Sequence, residues 1–385
     1  MNTRVAVSER IAELDAAGWD RVSGPGIALD RGLLAAMEEV DELATQRRYF
    51  LVRDTRGGAA AATALRRGDA ATRPLDTLLF GRAAALLRAL GGGSSPVLLA
   101  GSDLGYDAAL HAAGRPDDAA APHDLLHEIC AAIEAEARRE RAAVCFTRVL
   151  EQECPGISRV LQERGYASSL DRPTAWLDVD WPDLGGYFRR LAGQRHKGGN
   201  KARREVARFE ATGGRLERVW QPVDDDRRIA GLLERHHRRW NGEGLGLDAR
   251  FVGALARHMP GRVCVYLTGP AAEAGGTSLL LRRGDRGVLA LVGIDHALPL
   301  PEFAYFNLTY YGPAGDAPSL GLRRIDLGPG MVEMKIRRGC RVAFPQLFYR
   351  AHSGLGRRWR GAALALHRRW FGRKFRALRD DRATA

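Results

Sequence analysis

Two stretches of this chain repeat one another. Residues 49–69 read YFLVRDTRGGAAAATALRRGD, and residues 263–285 read VCVYLTGPAAEAGGTSLLLRRGD. Each is an apolar run, a Gly/Ala-rich turn, and a second run that ends in Leu-Arg-Arg-Gly-Asp; the pentapeptides start at Leu65 and Leu281. Apolar runs bounding a glycine-rich turn predict β-hairpins. One hairpin recurring in the same context predicts a duplicated domain. At about 150 residues per domain, the 385 residues leave room for two such copies.

The segments around the hairpins alternate strands with helices, which predicts a mixed α/β fold. In the first half, Pro96–Ala100, Ala143–Leu150 and Thr174–Val179 read as strands. A helix from His123 to Glu140 is apolar at Leu125, Leu126, Ile129 and Ile133. Another covers Ile157–Arg164, with Gly165 as its cap. The turn-rich WPDLGG at 181–186 marks the boundary, giving expected units of 1–180 and 181–355. A basic helical segment, 187–240, opens the second unit, and Gly198–Gly199 splits its first helix. Strands follow at 263–268, 276–283, 287–294 and 322–327, with a strand or helix over 303–311. Residues 356–385 form a basic amphipathic tail helix, expected to gather Trp359, Ala363, Leu366, Trp370 and Leu378 on one side.

Charge is concentrated in two of these segments. The formal net charge is +13. Residues 189–218 hold ten Lys/Arg against three Glu, and 357–379 hold nine Lys/Arg with no acid. The rest of the chain is close to neutral, so the excess points to a polyanionic partner rather than to solubility in general. No reader motif of helix-turn-helix, RRM or KH type accompanies it.

Several chemistries lack their signatures. No apolar run approaches the roughly 18 residues of a membrane span, and the first twenty residues carry no apolar signal core, so a soluble cytoplasmic protein is expected. Five cysteines are scattered without a CxxC pair. There is no P-loop, no HExxH and no spaced His/Asp cluster, so neither ATP-driven ligation nor a metal is expected. His236 and His237 are adjacent on a helix and read as solvated residues.

Three segments carry a resemblance. FRRLAGQRHKGGNKARREVARFEATGGRLERV (188–219), LLERHHRRWNGEG (232–244) and AYFNLTYYGPAGDAPSLGLRRIDLGPGMVEMKIRRG (304–339) resemble Fem-like acyltransferases. Tyr310, Tyr311, Gly321, Leu322, Arg324, Asp326, Gly328, Glu333 and Lys335 fit that family's aromatic unit, GL(K/R)RFD-like strand and Gly-rich loop ending in E-x-K. Pro313 and Pro318 interrupt a segment that is usually helical there. The resemblance implies two tandem GNAT-like (Gcn5-related N-acyltransferase) domains, each a mixed central sheet flanked by helices. It also implies transfer of an acyl or aminoacyl group onto a small amine, with no resident cofactor.

In that setting Lys335, one of four lysines in the chain, is the leading catalytic candidate, because it can neutralise a phosphate or a developing oxyanion. A surface pair with Glu333 is its plainer reading. Asp295, His296, Tyr305 and Tyr310 are the titratable groups near the end of strand 287–294, and Asp295, Tyr305 and Tyr310 are the candidates for moving the amine's proton. Asp295–His296 also fits a turn cap, and the tyrosines also fit core packing. Glu333, Asn307, Tyr311, Arg337 and Arg338 complete the expected substrate-binding set. A CoA-using relative carries R/Q-x-x-G-x-G/A before a helix, where backbone N–H groups grip pyrophosphate; no such run occurs here. The absence favours aminoacyl-tRNA as donor, bound by Arg195, Lys197, Lys201, Arg203, Arg204, Arg368, Arg369, Arg373 and Lys374. An acyl-CoA donor, or a non-catalytic protein binding nucleic acid or an anionic membrane, are the alternatives. A monomer or dimer without stable membrane insertion is expected.

Overall fold

A computed structural model describes residues 3–40, 46–54, 59–67, 96–102, 104–113, 121–194, 198–223, 225–242, 246–269, 273–351 and 354–375. The first half runs β1 (Thr3–Ser8), α1 (Ala16–Val22), α2 (Arg31–Val40), β2 (Gln46–Asp54), β3 (Ala59–Arg67), β4 (Val97–Ala100), β5 (Leu110–Ala113), α3 (Ala121–Arg139), β6 (Ala143–Val149), α4 (Ile157–Glu163), β7 (Ala167–Leu170) and β8 (Thr174–Asp178). Two helices, α5 (Leu184–Gln194) and α6 (Gly198–Ala211), lead into the second half. The same order then recurs: β9 (Leu216–Trp220), α7 (Asp226–Asn241), α8 (Ala249–His258), β10 (Val263–Thr268), β11 (Gly276–Arg283), β12 (Arg286–Ile294), a helix α9 over 304–316, β13 (Arg324–Pro329), α10 (Val332–Ile336), β14 (Arg341–Ala343) and β15 (Gln346–Arg350). The tail is α11 (Gly354–Lys374).

The duplication is visible in the sheets. One is ordered β1-β2-β3-β4-β6-β15-β7, with β5 also on β3; the other is β9-β10-β11-β12-β13-β8-β14, read from the opposite edge. Each has one parallel step, β4 with β6 and β12 with β13, followed by two antiparallel steps. The repeated hairpins are the second and third strands of the two sheets. Gly68 and Asp69 of the first pentapeptide lie outside the described residues.

The sheets exchange strands across the boundary expected at 180. β8, which follows the last strand of the first half, inserts between β13 and β14 of the second sheet. β15 returns to the first sheet between β6 and β7. Both inserted strands are largely buried. β8 reads as an ordinary strand in sequence, β15 was not read, and nothing local assigns either to a sheet.

Helices cover both faces of the second sheet, so β10 and β11 are nearly continuous apolar runs. Cys264, Tyr266, Leu280 and Leu289 face α5 and α9. Val265, Leu279, Leu281 and Val288 face α7 and α8, with Ile27, Leu33 and Leu104 of the first half packed on the same side. In the first sheet, Phe50, Val52 and Leu98 face α3, and Tyr49 and Leu51 face α1 and α2.

The 303–311 segment is helical. Pro313 fits because a wide turn, Asn307–Tyr311, precedes it, with Gly312 N–H donating to Asn307 O five residues back. That wide register accommodates the N–H that proline lacks. The tail helix differs from expectation in its orientation. Leu364, His367 and Phe371 are buried, while Leu366 (69% exposed) and Trp370 (58% exposed) point outward. The helix follows the stripe that meets β7 and the first sheet, where His367 Nδ1 lies 2.8 Å from Ser169 Oγ. The side chains of Trp359 and Ala363, and Leu378, lie outside the described residues. Among the described residues, no helix is long and apolar enough to cross a membrane.

Candidate active site

The cleft begins where β12 and β13 part. They pair in parallel at Arg286–Arg324, Gly287–Ile325 and Val288–Asp326, and no further. A bulge at Ala290 shifts the β11–β12 register just beyond that point. Two strands that splay leave backbone polar groups without ladder partners, which need others or a ligand.

The first half reaches this V at two points. At its closed end, Glu153 accepts hydrogen bonds from Arg286 (2.8 Å) and Arg324 (2.9 Å), one guanidinium from each strand. Burial pushes the Glu153 carboxyl up, but the two arginines more than offset this and hold it below its ordinary range. Arg324 also binds Asp326, whose own pKa burial raises. Farther along, Tyr106 enters from an excursion between β4 and β5. Its hydroxyl donates toward Leu289 O and Ala290 O, both at 3.1 Å, the carbonyls the splay exposes. Burial pushes the Tyr106 phenol up to about 12, so it remains a donor. Gly328 makes room for it: a Cβ there would meet the Tyr106 ring at 2.3 Å, and its φ of +68° suits glycine. Beside it Asp107 is half-buried, and desolvation pushes it up to about 6.

The open end is aromatic. Tyr305, near the start of α9, lies 3.9 Å through its hydroxyl from Met331 Sδ, just past β13. Its ring stacks on His236 of α7 at 6.4 Å, and His236 stacks on His296, just past β12, at 5.5 Å. Trp240 stands edge-on to both imidazoles. Gly293 allows α7 to lie this close, since a Cβ there would meet the Leu232–Leu233 backbone at 2.5 Å.

The residues expected from sequence divide into three groups. Tyr305 lines the mouth. Asp295 stands at its rim but is a turn cap: its Oδ1 accepts from Ala297 N–H at 3.0 Å, and its Oδ2 pairs with Arg235 at 3.1 Å. Tyr310, Tyr311 and Asn307 lie in the core behind the mouth. Tyr311 donates to Glu205 of α6, which also accepts from Arg338 at 2.9 Å. Arg338 is buried, with its guanidinium 3.6 Å from the Phe306 ring centre. This set clamps α6 to α9 and does not present its groups to a substrate. Glu333 and Arg337 are exposed.

Lys335 is not the surface partner of Glu333. It is 6% exposed, and Nζ donates to Leu327 O, Gly328 O and Pro329 O at 2.6, 2.7 and 3.0 Å. Three protons meet three carbonyls, so the ammonium ties down the end of β13 where the cleft opens. Burial pushes its pKa down to about 8. Cys340 beside it is also buried, and burial pushes its thiol up to about 12, which excludes a thiolate nucleophile near neutral pH.

Of the basic residues, Lys201, Arg203 and Arg204 are exposed on α6, and Arg368, Arg369 and Arg373 on α11. Arg195, Lys197 and the Lys374 side chain lie outside the described residues. The end of α6 is joined to the 295–303 loop at the mouth: Arg208 binds Glu302 at 2.7 Å, and Glu302 N–H donates to Thr212 Oγ1 at 3.1 Å. The fold also assembles a cluster not expected from sequence. His123, His127 and Glu163 bring ligand-type atoms within 4.8 Å of one another. Arg159 and Arg164 stand against it at 2.7 and 3.4 Å and oppose a bound cation.

Residues 196–335, the part of the chain that builds this cleft, match the family model described as Acetyltransferase (GNAT) domain. The chain carries a GNAT acyltransferase domain within a Fem-like tandem fold. FemX has a similar structure at 11% identity, with a TM-score of 0.56 over 92% of this chain and 98% of that one. A conserved protein of unknown function from Bacteroides thetaiotaomicron is similar at 12% identity and a TM-score of 0.54, over 90% and 100% of the two chains. The C-terminal domain of an Agrobacterium fabrum protein named for lysylphosphatidylglycerol synthesis is similar at 13% identity and 0.50, over 89% and 92%. No curated protein matches the sequence. The GNAT domain makes the chain an N-acyltransferase, and the three structures share its fold.

Sequence reasoning missed Tyr106, Glu153 and His236; it placed His296 at this edge but did not pair it with His236. The first two reach the cleft from the other half of the chain, 183 and 171 residues from their partners Leu289 and Arg324. The signal available for His236 was its place in the segment 232–244, but its neighbour His237 made the pair look like a solvated helix face.

Proposed function

We propose that the β12–β13 cleft joins an aminoacyl group, delivered as its tRNA ester, to a small amine. The observation that carries the choice of donor is the loop that leads into α9. Residues 295–303 read DHALPLPEF: they contain no glycine, and Pro299 and Pro301 lack N–H groups. A loop of this kind is poorly equipped to grip pyrophosphate through its backbone. The glycines of GDAPSLG (315–321) come at the end of α9, where helix carbonyls disfavour an anion. In place of such a loop stands α6, joined to 295–303 through Arg208 and Thr212 and carrying exposed Lys201, Arg203 and Arg204. Those cations suit an extended phosphate backbone.

In this reading the amine nitrogen attacks the ester carbonyl at the open end of the V. Tyr106 and Lys335 act by position: one occupies the exposed carbonyls of β12, the other fixes the loop after β13. Exposed α11 cations extend the phosphate-binding surface.

The test is product mass after incubation with charged tRNAs or acyl-CoA and a panel of amines, with binding measured against salt. If four to six cations reach phosphates, at about −0.7 to −0.9 log units per contact, the slope is roughly −3 to −5. Raising salt from about 50 to about 200 mM then weakens binding roughly 60- to 1000-fold. Charge reversal of Lys201, Arg203 and Arg204 flattens the slope. Full activity with acyl-CoA, insensitive to RNase and nearly flat in salt, would replace tRNA by CoA as donor.

A further inference from the structure

The aromatic cluster at the open end of the cleft has a chemical polarity that packing alone does not require. Two imidazoles lie within 16° of parallel and meet edge to edge, with His236 Nδ1 and His296 Nε2 3.3 Å apart and ring centres 5.5 Å apart. His236 is half-buried and His296 exposed, so the pair runs from the cleft toward solvent. His236 Nε2 has no hydrogen-bond partner among the described residues. Tyr305 covers one side of His236, and Trp240, 66% exposed, stands beside both rings. A surface of indole, phenol and imidazole favours an ammonium or amine over an anion, and the Arg239 guanidinium already lies 5.9 Å from the Trp240 ring centre, as a cation does on such a surface.

We propose that this cluster is the acceptor-amine site, and that His236 and His296 form a relay carrying the amine's proton out to water. The inference rests on the acyl-transfer reading of the cleft but not on the identity of the donor. In the working tautomer each imidazole carries its hydrogen on Nδ1. As the N–C bond forms and the C–O bond to the donor breaks, the amine proton passes to His236 Nε2. His236 Nδ1–H passes to His296 Nε2, and His296 Nδ1–H passes to water. The leaving oxygen takes a proton from water, so amine and ester become amide and alcohol with no net proton change. Tyr305 and Trp240 hold the amine beside His236.

The surrounding charges keep the relay neutral and ready to accept. Burial pushes His236 down to about 4, helped by His296, His237 and Arg239. Burial and Arg239 also lower His296, against the pull of Asp295, which is itself paired with Arg235. Tyr305, across the stack, is raised by burial and stays protonated.

Two measurements on the full chain test this. The first is donor-independent: histidine ring resonances are followed by NMR as n-butylammonium chloride is added, with n-butanol as control and His236→Gln and His296→Gln for assignment. Saturable shifts at both histidines with the ammonium only, lost in Trp240→Ala, are expected. The second is turnover with whichever donor forms amide. His236→Gln lowers kcat at least tenfold with the donor KM unchanged, and added imidazole restores activity to His236→Ala. Absence of shifts at His236, or wild-type kcat in a folded His236→Gln protein, overturns the relay. Intact amine binding with no product from charged tRNA overturns the tRNA reading instead.

Discussion

Lys335 shows how far a single residue can be read from sequence. Its rarity and its place after a glycine-rich loop drew attention to it, but its three carbonyl partners at 327–329 exist only once α10 folds back on β13. Hydrogen bonds to a charged donor are worth about 1.5–3 kcal/mol each, and stranded carbonyls add their own cost. Lys335→Ala is therefore expected to lose about 3 kcal/mol in urea unfolding, and at least tenfold in turnover as the loop loosens. Lys335→Arg recovers part of the stability; an unchanged melt in the alanine variant would mean the carbonyls are satisfied without the ammonium. His236 makes a pH prediction of definite sign. Its pKa is lowered from 6.5 to about 4 on folding, so between these values the unfolded chain binds the extra proton. Stability falls as pH drops through that window. His236→Gln removes this contribution, and unfolding midpoints measured from pH 7 to pH 4 should converge on or cross those of the wild type.

At the scale of elements, local signals were sufficient for most strands and helices and failed on orientation. The hairpins, α3, β6 and β12 follow from apolar period and turn chemistry. The strands β1, β5, β7, β9, β14 and β15, and the helices α1, α2, α8 and α10, were not read, because three to six residues, or a helix beside a glycine-rich loop, give little period to count. The tail helix was read with its stripe rotated, because Leu364 and Leu366 offer two competing apolar faces and only the first sheet decides between them. This ambiguity is testable. Leu364 is fully buried against Val97, Cys145 and Leu347, whereas Leu366 is 69% exposed. Leu364→Ala is expected to cost about 2–5 kcal/mol and Leu366→Ala no more than about 0.5. A larger loss from Leu366→Ala than from Leu364→Ala in chemical denaturation would place the stripe back where sequence alone put it.

The whole molecule is where sequence was least informative, and the cause is topological. Duplication was legible from one shared pentapeptide, but exchange of β8 and β15 leaves no local mark, since each strand has the same apolar character in either sheet. The exchange has a thermodynamic consequence. Unfolding the first half withdraws β8 from between β13 and β14, and unfolding the second withdraws β15 from between β6 and β7. Each loss splits a sheet and strands buried backbone groups, so neither half has an intact partner to leave behind. Glu153 adds to the coupling by binding both strands of the cleft from the other half. The expected result is one calorimetric transition, with calorimetric and van't Hoff enthalpies in agreement. Glu153→Ala leaves two half-buried arginines without their shared partner, and Arg324 keeps Asp326, a loss on the order of 1.5–3 kcal/mol. It should lower the single transition rather than divide it. Amides of β8 and β15 should lose hydrogen-exchange protection together. Two resolved transitions, or protection of β15 outlasting that of β8 by several kcal/mol, would show that the halves fold independently despite sharing strands.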